Sequence, residues 1–176
     1  MFSFSTMAEK GGKKSTKAGK EKPVIRELAK NKKAQRDYHI GETFEAGLVL
    51  KGTEVKSIRA NQVNVGDAFC RIERDEAWLY GCDIQPWQTA GEYFQHAAKR
   101  PRKLLLKRKE ILKLQEATQQ AGSTVICLKL YFKGRRVKVQ LGIGKGKSHG
   151  DQRHDLKKKT ELREAQREVA RFNKRF

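Results

Sequence analysis

The chain has 176 residues, and its 40 Lys and Arg against 20 Asp and Glu give a formal charge of +20. That length supports one modest hydrophobic core, and so large a one-signed excess marks a protein that works against a polyanion, nucleic acid first. No apolar run approaches the roughly 20 residues of a spanning helix, so a membrane surface is the weaker alternative partner.

The first ten residues, MFSFSTMAEK, lack an apolar core long enough for a secretory signal, and Met7 is an alternative start. The segment EKGGKKSTKAGKEKP has almost nothing to bury. Residues 1–30 are therefore expected to be a disordered basic extension until something acidic orders them. Residues 38–143 carry most of the aromatic and β-branched residues, and the folded RNA-binding core is placed at 31–143.

Within that core TFEAGLVL (43–50) is a compact apolar run, and GTEVKSIRA (52–60) reads as a short helical turn. DAFCRIERDEAWLYGCDI (67–84) reads as two strands around a turn at Arg74, Asp75 and Glu76. PRKLLLKRKEILKLQEATQQAG (101–122) has Pro101 at the start and Gly122 at the stop of an expected helix. Its Leu104/Leu105 and Ile111/Leu112 pairs, seven apart, would share one face. TVICLKLYFKGRRVKVQLGI (124–143) reads as a hairpin turning at Gly134, with Val137, Val139, Leu141 and Ile143 alternating as a half-buried strand requires. Several short strands with inserted helices predict a mainly β fold with added α-helices, a small oligonucleotide-binding-type β-barrel. Residues 144–176 form a basic C-terminal tail, disordered alone because Leu156, Leu162, Val169, Phe172 and Phe176 are its only large apolar residues. Their spacing suits a helix formed on a partner.

Cys70, Cys82 and Cys127 lie far apart without paired spacing, so free buried thiols in a reducing compartment are expected rather than a disulfide framework or a zinc site. LGIGKGKSHGDQR (141–153) looks at first like a phosphate loop. The motif G-x-x-x-x-G-K-[ST] would, however, place its first glycine at Leu141, and HGDQRHD opens no apolar helix. His39, His96, His149 and His154 match no metal or triad spacing, so neither a metal, a cofactor nor a catalytic residue is assigned, and the chain reads as a non-enzyme. The RNA reading is better supplied: KRPRKLLLKRK (99–109) has seven basic residues in eleven, which helical spacing would display outward. Tyr38, Trp87 or Tyr93 could stack a base or pack in the core.

NKKAQRDYHI (31–40), FEAGLVLKGTEVKSIRA (44–60), RPRKLLLKRKEI (100–111), LKLYFKGRRVKV (128–139) and GKGKSHGDQR (144–153) together resemble the SsrA-binding protein (SmpB) family of bacterial trans-translation. The resemblance runs in order from about residue 31 to 158. It implies a cytoplasmic, non-enzymatic protein that binds the tRNA-like part of transfer-messenger RNA. With that RNA, charged with alanine and carried by elongation factor Tu, it would enter stalled ribosomes and meet small-subunit ribosomal RNA. The barrel would stand where the missing anticodon stem would be, and the tail would fold as a helix in the empty message channel.

Carried over by position, the RNA-contacting residues are Asn31, Lys32, Glu45, Glu54, Lys103, Leu105, Lys138, Lys145 and Lys147. Lysines suit phosphates, while a carboxylate can accept from guanine N–H groups. For Glu54 a cap or a salt bridge is an equal reading, and Leu105 can serve core packing or apolar contact beneath the RNA. Tail candidates at the ribosome are His149, Asp151, Arg153, Val169 and Phe172. Two departures stand out. The tail has Asp151-Gln152-Arg153 after Gly150, where the family has Asp-Lys-Arg after an aromatic or histidine, so His149 is the candidate stacking residue. QHAAKRP (95–101) keeps only His96 of the family's His-Asp-Pro-like group. A structural ribosomal protein or a general RNA-binding module is the alternative; co-purification at one copy per ribosome would identify the former.

Overall fold

A computed structural model of the chain describes residues 24–91 and 95–173. Met1, Met7 and the rest of the extension through Pro23, together with Tyr93 and Phe176, lie outside the described residues, as do the side chains of His149, His154 and Leu156. In chain order the elements are β1 (Ile25–Lys30), α1 (Lys32–Asp37), β2 (Tyr38–Leu48), α2 (Gly52–Arg59), β3 (Val63–Asn64), β4 (Phe69–Glu73) and β5 (Glu76–Tyr80). Then follow β6 (Asp83–Ile84), β7 (Arg102–Leu105), α3 (Arg108–Gln119), β8 (Ser123–Lys133), β9 (Arg136–Gly146) and α4 (His149–Asn173).

Six strands close a ring in the order β8-β4-β5-β7-β2-β9 and back to β8, every pair antiparallel. Closure removes the open edges that a sheet of this size would otherwise present. The expected β architecture therefore stands, with β3 and β6 adding a separate two-stranded ladder. Alternation builds the interior: Ala46, Cys70, Ala77, Leu79, Leu104, Val125, Cys127, Val139 and Leu141 point inward, and Val137 and Ile143 pack against them. The β8–β9 hairpin turns at Gly134, whose φ of 61° suits glycine. Arg74 and Asp75, at φ 48° and 65°, make the β4–β5 turn, and Glu76 belongs to β5 rather than to the turn. The helical turn expected at 52–60 is α2, which inserts Ile58 into the core.

Two expectations are corrected. Residues 25–30 are not disordered: β1 pairs with β8 from Ile25↔Lys133 to Lys30↔Lys129, so a neighbouring strand supplies the hydrogen bonds and Leu28 and Ala29 reach the core. The single helix over 101–122 is instead strand β7 followed by α3. Between β5 and β2 the ring needs a strand, and period-two alternation points Arg102 and Leu104 inward with Lys103 and Leu105 outward. Leu104 and Leu105 thus lie on opposite faces, and on α3 it is Ile111 and Leu114 that are buried while Leu112 is exposed. The basic stretch 99–109 is accordingly a loop, a strand and a helix start rather than one helical face.

The tail is the 25-residue helix α4, the secondary structure its spacing suits. Its run of Glu, Lys, Arg, Ala and Gln favours helix intrinsically, with Glu164/Arg167 and Glu168/Arg171 at one-turn spacing. Ser148 caps its start: the Asp151 N–H donates to the Ser148 hydroxyl oxygen at 3.3 Å, and the Asp151 carboxylate accepts from the Ser148 N–H at 3.2 Å.

Candidate nucleic-acid interface

The register of the ring brings Lys138, Gly47 and Leu105 into one row across β9, β2 and β7. Glycine in the middle leaves the row open, and a Cβ there would stand 3.2 Å from the Leu105 Cβ. Leu105 is 56% exposed, so the core-packing reading does not hold and the side chain is open to solvent. With Arg135, Arg136 and Val137 the row lines a cleft of about 480 Å³ whose lining combines apolar side chains with three cationic ones. Lys103, two residues before Leu105 on the same face of β7, is ion-paired with Glu76.

Glu45 stands beside this row on β2. Its carboxylate accepts from the Tyr131 hydroxyl at 2.5 Å and from the Lys133 ammonium at 3.0 Å, and Lys138 lies 3.5 Å away. The Tyr131 hydrogen bond first, then the lysines, hold its carboxyl below the usual value despite partial desolvation. The carboxylate is therefore charged at neutral pH and sits within a basic rim, where it can select hydrogen-bond donors. Tyr131 and Lys133 were not among the residues singled out from the sequence; their alternation with Lys129 along β8 was the available signal.

Asn31 and Glu54 face inward, against the expectation that they touch RNA. Asn31 is 2% exposed: its oxygen caps α1 by accepting from the Ala34 N–H at 2.9 Å, and its amide donates to the Cys127 carbonyl at 3.1 Å. Glu54 is fully buried. It accepts from the Lys51 N–H at 2.7 Å, from Arg100 Nε and Nη2 at 2.8 and 2.6 Å, and from Arg102 Nε at 2.9 Å. The cap and the salt bridge are thus both present, and they occupy the carboxylate.

Arg102, also fully buried, uses its other nitrogens on the carbonyls of Cys82, Ala98 and Arg100. His96 fastens the same loop. Its Nε2–H donates to the Ile84 carbonyl at 3.2 Å, which leaves Nδ1 to accept from the Thr53 hydroxyl at 2.9 Å. The loop around QHAAKRP is therefore anchored through His96 without an Asp-Pro pair. Trp87 in this loop and Tyr38 at the start of β2 are half-buried.

A second basic group lies at the opposite end of the β2–β9 ladder, roughly 25 Å along the strand by the usual rise. Lys32 is exposed in the first turn of α1, and Lys145 is exposed opposite His39. The Lys147 N–H donates to the Asp37 carbonyl at 2.9 Å and its ammonium to the Gln35 carbonyl at 3.3 Å, which joins the end of β9 to α1. Residues 141–146 are the end of β9 and not a loop. Gly142 is there for packing: a Cβ would meet Leu128 Cδ1 at 2.8 Å and Ile40 Cγ2 at 2.9 Å.

In the tail, Asp151 sits in the first turn of α4, 3.8 Å from His39 Nε2, and Arg153 is exposed one half-turn on. Val169 and Phe172 are 60% and 64% exposed, and with Leu162 they follow helical spacing along one exposed stripe. His149 opens the helix. Cys70, Cys82 and Cys127 are free and buried, and burial pushes the first two thiols up to about 12 and about 11. None is a poised nucleophile.

The SmpB protein family model matches residues 28–171. Among curated proteins, an SsrA-binding protein of Bacillus pumilus is 50% identical over 149 residues, covering 85% of this chain and 95% of that one. An SsrA-binding protein of Carboxydothermus hydrogenoformans is 49% identical over 140 residues, covering 80% and 93%. A solved structure described as "tmRNA-SmpB: a journey to the center of the bacterial ribosome" is similar with a TM-score of 0.58 and 43% identity, covering 68% of this chain and 84% of that one.

Proposed function

The chain belongs to the SmpB family, and from that premise we propose that it binds the tRNA-like part of transfer-messenger RNA and delivers it to stalled ribosomes for trans-translation. The observation that carries this reading is the family match over residues 28–171, which spans the whole ring and most of α4. The chain acts by binding and performs no chemical step of its own; its partners are that RNA and the stalled ribosome, with alanine charging and elongation factor Tu reached through the RNA. Its place of action is the cytoplasm, where ribosomes are, and among the described residues no helix is long and apolar enough to cross a membrane.

We assign the RNA face to Lys32, Glu45, Lys103, Leu105, Lys138, Lys145 and Lys147, with Asn31 and Glu54 acting from inside to hold α1, α2 and the 95–101 loop in place. The division of labour follows the domains: the core takes the RNA, the extension through residue 23 supplies further positive charge, and the tail takes the ribosome through His149, Asp151, Arg153, Val169 and Phe172. Sequencing the RNAs retained by the protein in its native cell tests the reading: enrichment of one transfer-messenger RNA supports it, and co-purification of the protein at one copy per ribosome without such enrichment overturns it.

Two substitutions test the assignments. Lys145→Ala and Lys147→Ala should each weaken RNA binding and lower the slope of log affinity against log salt by about one unit. An unchanged slope in titrations from low to moderate salt removes the residue from the interface. His149→Ala should reduce peptide tagging on stalled ribosomes while leaving RNA affinity native; full tagging would show that no stack at this position is needed where Gly150 cannot provide one.

A further inference from the structure

Phe69 opens β4 on the outside of the ring and is 43% exposed, which is unusual for a ring that could have been buried. Its neighbour across the β4–β5 ladder is Tyr80, and the two rings are stacked with centroids 5.7 Å apart and planes inclined by 19°. The Tyr80 hydroxyl donates to Glu73 at 3.0 Å, which steadies the second ring of the stack. Away from Tyr80, Phe69 lines a cleft of about 360 Å³ between α1 and the start of β4. Tyr38, Thr124 and Ile126 form the walls, and Lys33 bridges the cleft to Asp67 at 2.9 Å with both side chains largely exposed.

The backbone that presents Phe69 is rigid. The Ala68 N–H donates to the Val65 carbonyl at 3.2 Å, and the Cys127 N–H donates to the Ala68 carbonyl at 2.9 Å. Gly81, at φ 68°, packs so close beneath that a Cβ there would come within 2.4 Å of the Asp67 carbonyl oxygen. A preorganised aromatic face at the mouth of a cleft, with a cation and a carboxylate at the rim, has the parts that unpaired bases use: a π-surface to stack on, a positive charge for the phosphate and an acceptor for base N–H groups.

We propose that the cleft between α1 and β4 receives one unpaired nucleobase of the bound RNA, stacked on Phe69 with Tyr80 behind it. The proposal rests on the RNA-binding reading above, and it extends the face that Lys32 begins on α1 around the ring to β4. An RNA occupant is favoured over a protein by the charge of +20 on the whole chain and by that continuity. The ring contributes stacking and no charge, so its effect on affinity is independent of salt.

The test uses the full chain, transfer-messenger RNA and titrations at several salt concentrations. Phe69→Ala should bind about ten-fold more weakly with the salt slope unchanged, and Phe69→Trp should bind within about two-fold of the native protein. Native affinity in Phe69→Ala, a loss that tryptophan does not recover, or a loss accompanied by a lower slope overturns the stack. The two readings fail differently. If the native protein does not retain the RNA, the underlying reading falls and the stack with it; if Lys145→Ala lowers the slope and Phe69→Ala changes nothing, the stack alone falls.

Discussion

Replacing Glu54 by glutamine should destabilise the protein by about 3–5 kcal/mol, the cost of leaving a buried charge without its partner. Arg102 is fully buried and Arg100 half-buried against the same carboxylate, so the substitution strands one guanidinium in the core and loosens another. Urea unfolding checks it: the midpoint should fall sharply with the slope retained, and a loss below about 1 kcal/mol would sink the account. Because Arg102 also donates to the carbonyls of Cys82 and Ala98, RNA affinity should suffer only through the displaced loop and β7. Its salt slope should stay native, unlike that of a lysine at the interface.

The same network sets an acid limit. Burial works against the Glu54 charge most strongly, but hydrogen bonds from Arg100, the Lys51 N–H and Arg102 outweigh it and hold the carboxyl below its ordinary 4.5. A depressed carboxyl contributes stability that is fully present above its unfolded value and lost as pH falls through the folded one. The native protein should therefore weaken below about pH 4.5, and Glu54→Gln should show a shallower decline over that range.

Ending the chain at Lys147 should leave RNA binding nearly intact and abolish tagging of stalled peptides. α4 is exposed at every residue whose burial is described, and the 3.8 Å approach of Asp151 to His39 joins two exposed side chains, so removal of the helix should shift the melting midpoint little. What is lost is the stripe of Leu162, Val169 and Phe172, whose exposed apolar surface is the proposed contact with the ribosome. Filter binding and an in vitro tagging assay separate the two activities, and loss of RNA affinity on truncation would move the tail into the RNA interface.

Much of this was legible from local pattern. The alternation of Val137, Val139, Leu141 and Ile143, the glycine turn at 134 and the spread of five motif segments led to the β architecture and to the family. The failures were also local in origin. In RKLLLKRK the leucines sit next to lysines in a helix-compatible rhythm, and only the gap between β5 and β2 shows that Arg102–Leu105 must be a strand. Ile25–Lys30 looks too polar to fold because its hydrogen-bond partner, β8, lies a hundred residues further along.

By itself the sequence determined the sign and size of the charge, the β class, the position of the tail and the family, since composition, period and motif are properties of neighbouring residues. Tertiary structure alone decided which candidates face outward. Glu54 meets Arg100 across 46 residues, and Asn31 reaches the Cys127 carbonyl across 96. Leu105 and Lys138 flank Gly47 through ladders that no local pattern encodes. Burial and pairing of this kind depend on ring closure, which sets long-range register and is invisible to any window of sequence.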